Sequence, residues 1–185
     1  MSLYFPTEVA GQGIRIGIGD YDHNGKIDFD FGLQGFNAWG NGVSGGYNST
    51  EIGYGTARGA YVENSNGSYT PWARQDNHWG ADSWGNHGSS TYQDVFGNYQ
   101  NHRYANDVFG NYSYGDTQAT PWSYSDRNAS GNSYWGNHHE SGRYADAFGN
   151  RGSYNVPGCV PNYGCRDYCC GGGVQVNAWF GGCFG

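Results

Sequence analysis

The sequence predicts an all-β protein: an N-terminal β-hairpin followed by a stack of short repeats. Three observations lead there. An aromatic residue returns every 12 or 13 positions through the middle of the chain, apolar and polar residues alternate near the N-terminus, and helix formers are scarce. Among 185 residues there is one Met and the only leucines are Leu3 and Leu33, against 34 Gly. Such a chain cannot build a helical core, and any core it has must be aromatic.

Residues 1–36 carry the alternation. Ile14, Ile16 and Ile18 point one way, with Arg15 and Gly17 between them; after a loop, Ile27, Phe29, Phe31 and Leu33 repeat the pattern against Asp28 and Asp30. Period-2 alternation on both sides of a loop predicts a half-buried hairpin. Residues 37–69 form a Gly-, Asn- and Tyr-rich segment, with Asn37-Ala-Trp39-Gly-Asn41 as a degenerate copy of the repeat that follows.

Residues 70–156 are the repeat array. Its aromatic positions are Trp72, Trp84, Phe96, Phe109, Trp122, Trp135 and Phe148. Most copies continue into Gly-Asn, a turn signal because both residues accept positive φ at little cost. A unit of this length holds either one small coil of a solenoid or one strand and one turn of a meander. Repetition at every unit, rather than every second one, favours a solenoid-like or cross-β-like stack in which the seven aromatics form one column. A longer period is also visible: Thr70-Pro-Trp72 recurs as Thr120-Pro-Trp122, and Trp84-Gly-Asn-His87 as Trp135-Gly-Asn-His138. Asp82, Asp94, Asp107 and Asp146 open their units, and Thr120 and Ser133 hold the same slot. What these residue types share is side-chain-to-backbone bonding that fixes a turn, so they are expected to be turn formers and not metal ligands.

Residues 157–185 are a Cys- and Gly-rich tail containing all five cysteines, Cys159, Cys165, Cys169, Cys170 and Cys183. Without a repeated metal-knuckle spacing, a disulfide-stapled tail in an oxidising compartment is expected; the odd number leaves one thiol free or paired between chains. The net charge of −7 disfavours nucleic acid and anionic membranes as partners, and no apolar run is long enough to span a bilayer. The first residues have neither a basic nor an apolar leader region, so export would use another route or follow removal of a leader.

The sharpest local motif is Gly19-Asp20-Tyr21-Asp22-His23-Asn24-Gly25-Lys26-Ile27-Asp28, continuing through Phe29-Asp30-Phe31-Gly32. Its D-x-D-x-N-G-x-x-D spacing places alternate oxygens around one point, as calcium requires. Asp20, Asp22, Asn24 and Asp28 would give side-chain oxygens and Lys26 its carbonyl, with Ile27 anchoring the loop in the core. The segment resembles the calcium loops of FG-GAP repeats, found in integrin-type propellers and bacterial surface proteins, including the leading Gly-Asp and the closing hydrophobic-x-hydrophobic-Gly. That resemblance implies one calcium ion in a β-flanked loop, and one copy cannot make a propeller. An EF-hand is excluded, because its twelfth position is Phe31 and strands flank the loop.

His87 and His138 follow Gly-Asn in matching units, with His139 beside the second, and read as solvated turn residues; the alternative is a transition-metal site or a pH switch. Four N-x-[ST] sequons, at Asn48, Asn66, Asn111 and Asn128, are glycosylation candidates in a secreted chain. No nucleophile elbow or catalytic constellation stands out, so no enzyme is expected. The expectation is a self-assembling extracellular or cell-surface structural protein: a fibre, sheath or matrix subunit, calcium-stabilised and partnered by copies of itself. The alternative is a calcium-dependent adhesin that binds glycans through exposed aromatics.

Overall fold

The computed structural model describes residues 7–20, 23–159 and 175–179. The protein is all-β, with no helix among the described residues. Among the described residues twelve strands follow in chain order: β1 (Thr7–Gly19), β2 (Asp28–Gly40), β3 (Gly45–Gly55), β4 (Gly59–Tyr69), β5 (Ala73–Ala81) and β6 (Gly85–Asp94), then β7 (Tyr99–Asp107), β8 (Asn111–Thr120), β9 (Ser123–Asn132), β10 (Asn137–Asp146), β11 (Arg151–Cys159) and β12 (Gln175–Trp179). The chain divides into two compact units, Met1–Ser90 and Thr91–Gly185.

Within each unit the strands lie side by side in chain order, and the paired strands run antiparallel. This corrects the expectation of a solenoid. A coil would stack equivalent strands in parallel, whereas here each 12- or 13-residue repeat is one strand plus one turn of a meander. The predicted hairpin is present as β1 and β2, with Ile14 opposite Leu33, Ile16 opposite Phe31 and Ile18 opposite Phe29. Residues 37–69 are not a separate segment: β2 runs through position 36, and β3 and β4 continue the same meander.

Every turn of the array is closed by an acceptor side chain at its start. In the Asp-x-Phe-Gly-Asn turns, Asp94 Oδ1 accepts from the backbone N–H groups of Phe96 and Asn98, while Asn98 Nδ2 donates to Asp94 Oδ2. Asp107 and Asp146 repeat this pattern with Asn111 and Asn150. Gly97, Gly110 and Gly149 sit at φ of 85°, 81° and 90°, where any side chain would be strained. Thr70 and Thr120 close their turns through the hydroxyl. In the Trp135 turn the closing acceptor is Asn132, not Ser133.

The interior of the sheet explains the glycine and tyrosine content. Gly32 and Gly53 are cross-strand neighbours, and Gly53 faces Tyr61. The Tyr61 ring lies flat over both glycines, so that a Cβ on Gly53 would meet its Oη at 2.5 Å and Cζ at 2.6 Å. Tyr47 lies in the same way over Gly67, Tyr112 over Gly131 and Tyr154 over Gly142. Glycine therefore serves in mid-strand as a floor for an aromatic ring from the next strand, which substitutes for a second packing layer. Among the described residues the only buried apolar side chains are Tyr61 and Ala129.

Candidate functional site

Alternation along the strands gives the first unit two unlike faces. On one lie Ile14, Ile16, Ile18, Phe29, Phe31, Leu33, Ile52 and Tyr54, adjoining across β1, β2 and β3. All eight are exposed, Ile16 to 73% and even Leu33 to 47%. The hairpin is half-buried as expected but with the faces exchanged, Asp28, Asp30 and Gly32 being the buried positions of β2, and Ile27 is exposed to 69% where it was expected to anchor a core. The reason is that no second layer covers this face among the described residues.

Beside this apolar patch, on the same face, runs a ladder of side-chain amides. Asn64 Nδ2 donates to Asn48 Oδ1, Asn66 Nδ2 to Asn64 Oδ1, Asn77 Nδ2 to Asn66 Oδ1, and Ser90 Oγ to Asn77 Oδ1. Each link satisfies an amide that the sheet would otherwise leave to solvent.

The opposite face is charged. Tyr61 Oη lies 2.8 Å from Asp30 Oδ1 and 2.7 Å from Glu51 Oε1, and the Arg58 guanidinium sits 3.3 Å above the Tyr61 ring centroid while reaching Asp30 at 3.1 Å. Burial, with the two carboxylates, pushes the Tyr61 phenol well above its ordinary range. The same face carries Glu63, His78 and His87. Glu63 Oε2 is 3.4 Å from His78 Nε2 and 3.7 Å from His87 Nε2, and the two imidazole centroids are 5.4 Å apart.

The calcium-type loop between β1 and β2 is described except at Tyr21 and Asp22, which lie outside the described residues. Asp20 accepts from the backbone N–H groups of Asn24 (3.0 Å) and Gly25 (2.9 Å), and Asn24 Oδ1 accepts from the Lys26 N–H. Asp28 is buried and accepts from the Thr56 hydroxyl at 2.9 Å. A carboxylate has about four acceptor positions, and Asp20 spends two of them on the loop's own backbone.

The seven repeat aromatics do not form one column. Each lies in or beside a turn, and successive turns of a meander fall at opposite ends of the strands. In the second unit Phe96, Trp122 and Phe148 occupy one edge and Phe109 and Trp135 the other, about 30 Å away for strands of this length. In the first unit Trp72 and Trp84 are separated likewise. Turns on one edge bond to each other: Ala147 N–H donates to the Trp122 carbonyl (2.7 Å), and Ser133 N–H to that of Gly110 (2.8 Å). Trp84 Nε1–H donates to the Ala57 carbonyl of the neighbouring turn in its own unit.

Asn66 and Asn111 already donate their Nδ2 groups, to Asn64 and to Asp107, so a glycan on either would break a bond of the sheet. Asn48 and Asn128 use their carbonyl oxygens, toward Asn64 and Arg103. Cys165, Cys169, Cys170 and Cys183 lie outside the described residues, and Cys159 is placed only as the last residue of β11.

In the second unit Glu140 is the electrostatic hub, accepting from Arg127 Nε at 2.8 Å and from the Tyr154 hydroxyl at 2.9 Å. Arg127 above all, with Tyr154, brings its carboxyl down to about 2. The side-chain amides of Asn98, Asn111 and Asn150, aided by backbone N–H groups, hold Asp94, Asp107 and Asp146 below the usual carboxylate range. A depressed folded-state pKa contributes stability that is present above the unfolded pKa and lost as pH falls through the folded one. Urea midpoints are therefore expected to hold from neutrality to about pH 5 and to drop between about pH 5 and pH 2. A midpoint unchanged down to pH 2 would contradict this.

The alternation of β2 and the turn aspartates were visible in the sequence. The Glu63–His78–His87 cluster was not, because its members come from three strands and share no local spacing. Comparison with protein-family models, with curated proteins and with solved structures found no match for this chain.

Proposed function

We propose that the chain is a self-assembling extracellular structural protein, a subunit of a fibre, sheath or matrix, whose apolar face is covered by a second copy. One observation carries the reading: the exposed apolar patch on β1, β2 and β3. At about 200 Å² per large side chain, its eight residues present on the order of 1,000 Å² to solvent. That exceeds the few hundred Å² usual for the largest patch on a monomer and matches the roughly 800 Å² that each partner contributes to a stable interface. A second copy suits it because two such faces laid together match in kind, apolar patch to apolar patch and Asn ladder to Asn ladder, as in dry sheet-on-sheet packing. The β1 strand adds a second growth direction: it carries 13 residues and, among the described residues, pairs only with β2. No helix among the described residues is long and apolar enough to cross a membrane.

The test is electron microscopy and sedimentation of the purified chain. Regular filaments or sheets that grow with concentration are expected; a monodisperse monomer at high concentration would overturn the proposal. Calcium ordering of the Asp20–Asp28 loop belongs to the same reading. Titration of the metal-free chain is expected to show about one site, removed by Asp22→Ala, and silence at millimolar calcium would refute it.

A glycan-binding adhesin is the second reading, favoured by the aromatic row of Phe96, Trp122 and Phe148. These rings stand 67%, 69% and 78% exposed along one edge, at alternate strands and so about 10 Å apart. Binding to immobilised polysaccharide that falls in Trp122→Ala would support it over assembly.

A further inference from the structure

We propose that Glu63, His78 and His87 together bind one transition-metal ion of the zinc class on the charged face of the first unit. The residues come from β4, β5 and β6, and alternation alone brings them together: Glu63 is the cross-strand neighbour of Gly80, and His78 is two residues from Gly80 on the same face. Both imidazoles aim Nε2 at one carboxylate oxygen, Glu63 Oε2, at 3.4 and 3.7 Å. Two donors at about 2.1 Å from one tetrahedral ion are about 3.4 Å apart, so these separations suit a shared cation. The three ligand atoms all lie within 4.8 Å of one another, and a small rotation of the imidazoles closes the set.

Two further features fit a metal site better than a pair of imidazolium–carboxylate contacts. The surroundings leave the ligand atoms available: Glu63 Oε1 is held by Arg58 NH1 at 3.4 Å, and His78 Nδ1 is 2.9 Å from Ser65 Oγ. If Nδ1 donates its proton to Ser65, the Nε2 lone pair faces the carboxylate, the outer-sphere arrangement that fixes metal-binding histidines. Gly80 then supplies the space. A Cβ there would meet His87 Cε1 at 2.8 Å and drive into the Glu63 carboxylate, so the absence of a side chain makes the cradle between the three ligands. Two imidazole nitrogens with one carboxylate oxygen are a donor set for zinc, copper, nickel or iron and not for calcium, which wants six or more oxygens. The ion would staple three neighbouring strands, with its remaining position open to solvent on a flat face. The site is independent of the assembly proposal and of the loop between β1 and β2.

The full chain should be titrated with zinc by calorimetry, alongside His78→Gln, His87→Gln, Gly80→Ala and a His139→Gln control. Loss of one equivalent, or at least a tenfold rise in Kd, is expected for the first three variants, with His139→Gln unchanged. Gly80→Ala keeps all three ligands, so its loss of zinc would report the cradle itself. Circular dichroism confirms that each variant keeps its sheet. Cobalt substitution reads the donors without any mutation: a spectrum free of thiolate-to-metal charge transfer is expected for this equivalent. Equal zinc binding in all variants, or cobalt held wholly by thiolates, would overturn the proposal.

Discussion

Replacing Ile16 and Phe31 together by lysine should leave the chain folded and stop it from assembling. The two residues are cross-strand neighbours at the centre of the apolar patch, exposed to 73% and 48%. In the isolated chain their side chains stand in water, so the substitution costs little there. In an assembly each lysine forgoes about 2 kcal/mol of apolar burial and adds the desolvation of an ammonium group. The pair therefore removes more than about 4 kcal/mol, a thousandfold or more in association. Sedimentation velocity and negative-stain microscopy should show monomers at concentrations where the parent chain is proposed to polymerise. Ser49→Lys, on the opposite face, should change neither result. A double variant that polymerises at the parent concentration would show that this face is not the interface.

Gly53→Val should destabilise the first unit severely, although valine is ordinarily a better strand former than glycine. The new Cβ would lie inside the Phe31 carbonyl and 2.5 Å from the Tyr61 hydroxyl, so the ring that lies on this floor must lift. Lifting it breaks the contacts to Asp30 and Glu51 and removes the surface beneath the Arg58 guanidinium. Overpacking against backbone and the loss of buried charge-assisted bonds each cost about 1–3 kcal/mol, together about 2–6 kcal/mol. For a unit of this size that lowers the thermal midpoint by more than about 10 °C. Gly11→Val is the control: Gly11 is also in a strand, but nothing lies within 4 Å of a Cβ built there, and stability should hold or rise. Equal midpoints for both variants would mean that the tyrosine floor contributes nothing.

The hairpin was legible because Ile14-x-Ile16-x-Ile18 and Phe29-x-Phe31-x-Leu33 leave one period open to the chain. The turn aspartates were legible because Asp-x-Phe-Gly-Asn carries its own hydrogen-bond logic. The meander was hidden by that same chemistry. Asp94 and Asp107 open identical turns at opposite edges, so the repeat returns at every unit and imitates a coil. Residues 37–69 stood apart only by their Gly, Asn and Tyr content, whereas Gly46, Gly53 and Gly67 are floors for rings from neighbouring strands. The apolar residues were visible one by one, but their lack of cover is a property of a single layer, which no local pattern encodes. Glu63, His78 and His87 meet only once the strand register is known.

The bonds between turns on one edge set a rule for how this kind of chain can lengthen. A turn contacts the turn two strands away, so the unit that preserves those bonds is a pair of strands, about 25 residues, and not the single repeat. Duplicating one repeat would send every later turn to the opposite edge and leave a mismatched neighbour at the junction. Duplicating two or four would keep each turn beside its own kind. The return of Thr-Pro-Trp after 50 residues, at Thr70 and Thr120, is an even step of this size. Size variants of such a protein should therefore differ by whole hairpins, and growth of the gene by halves of a hairpin should be absent.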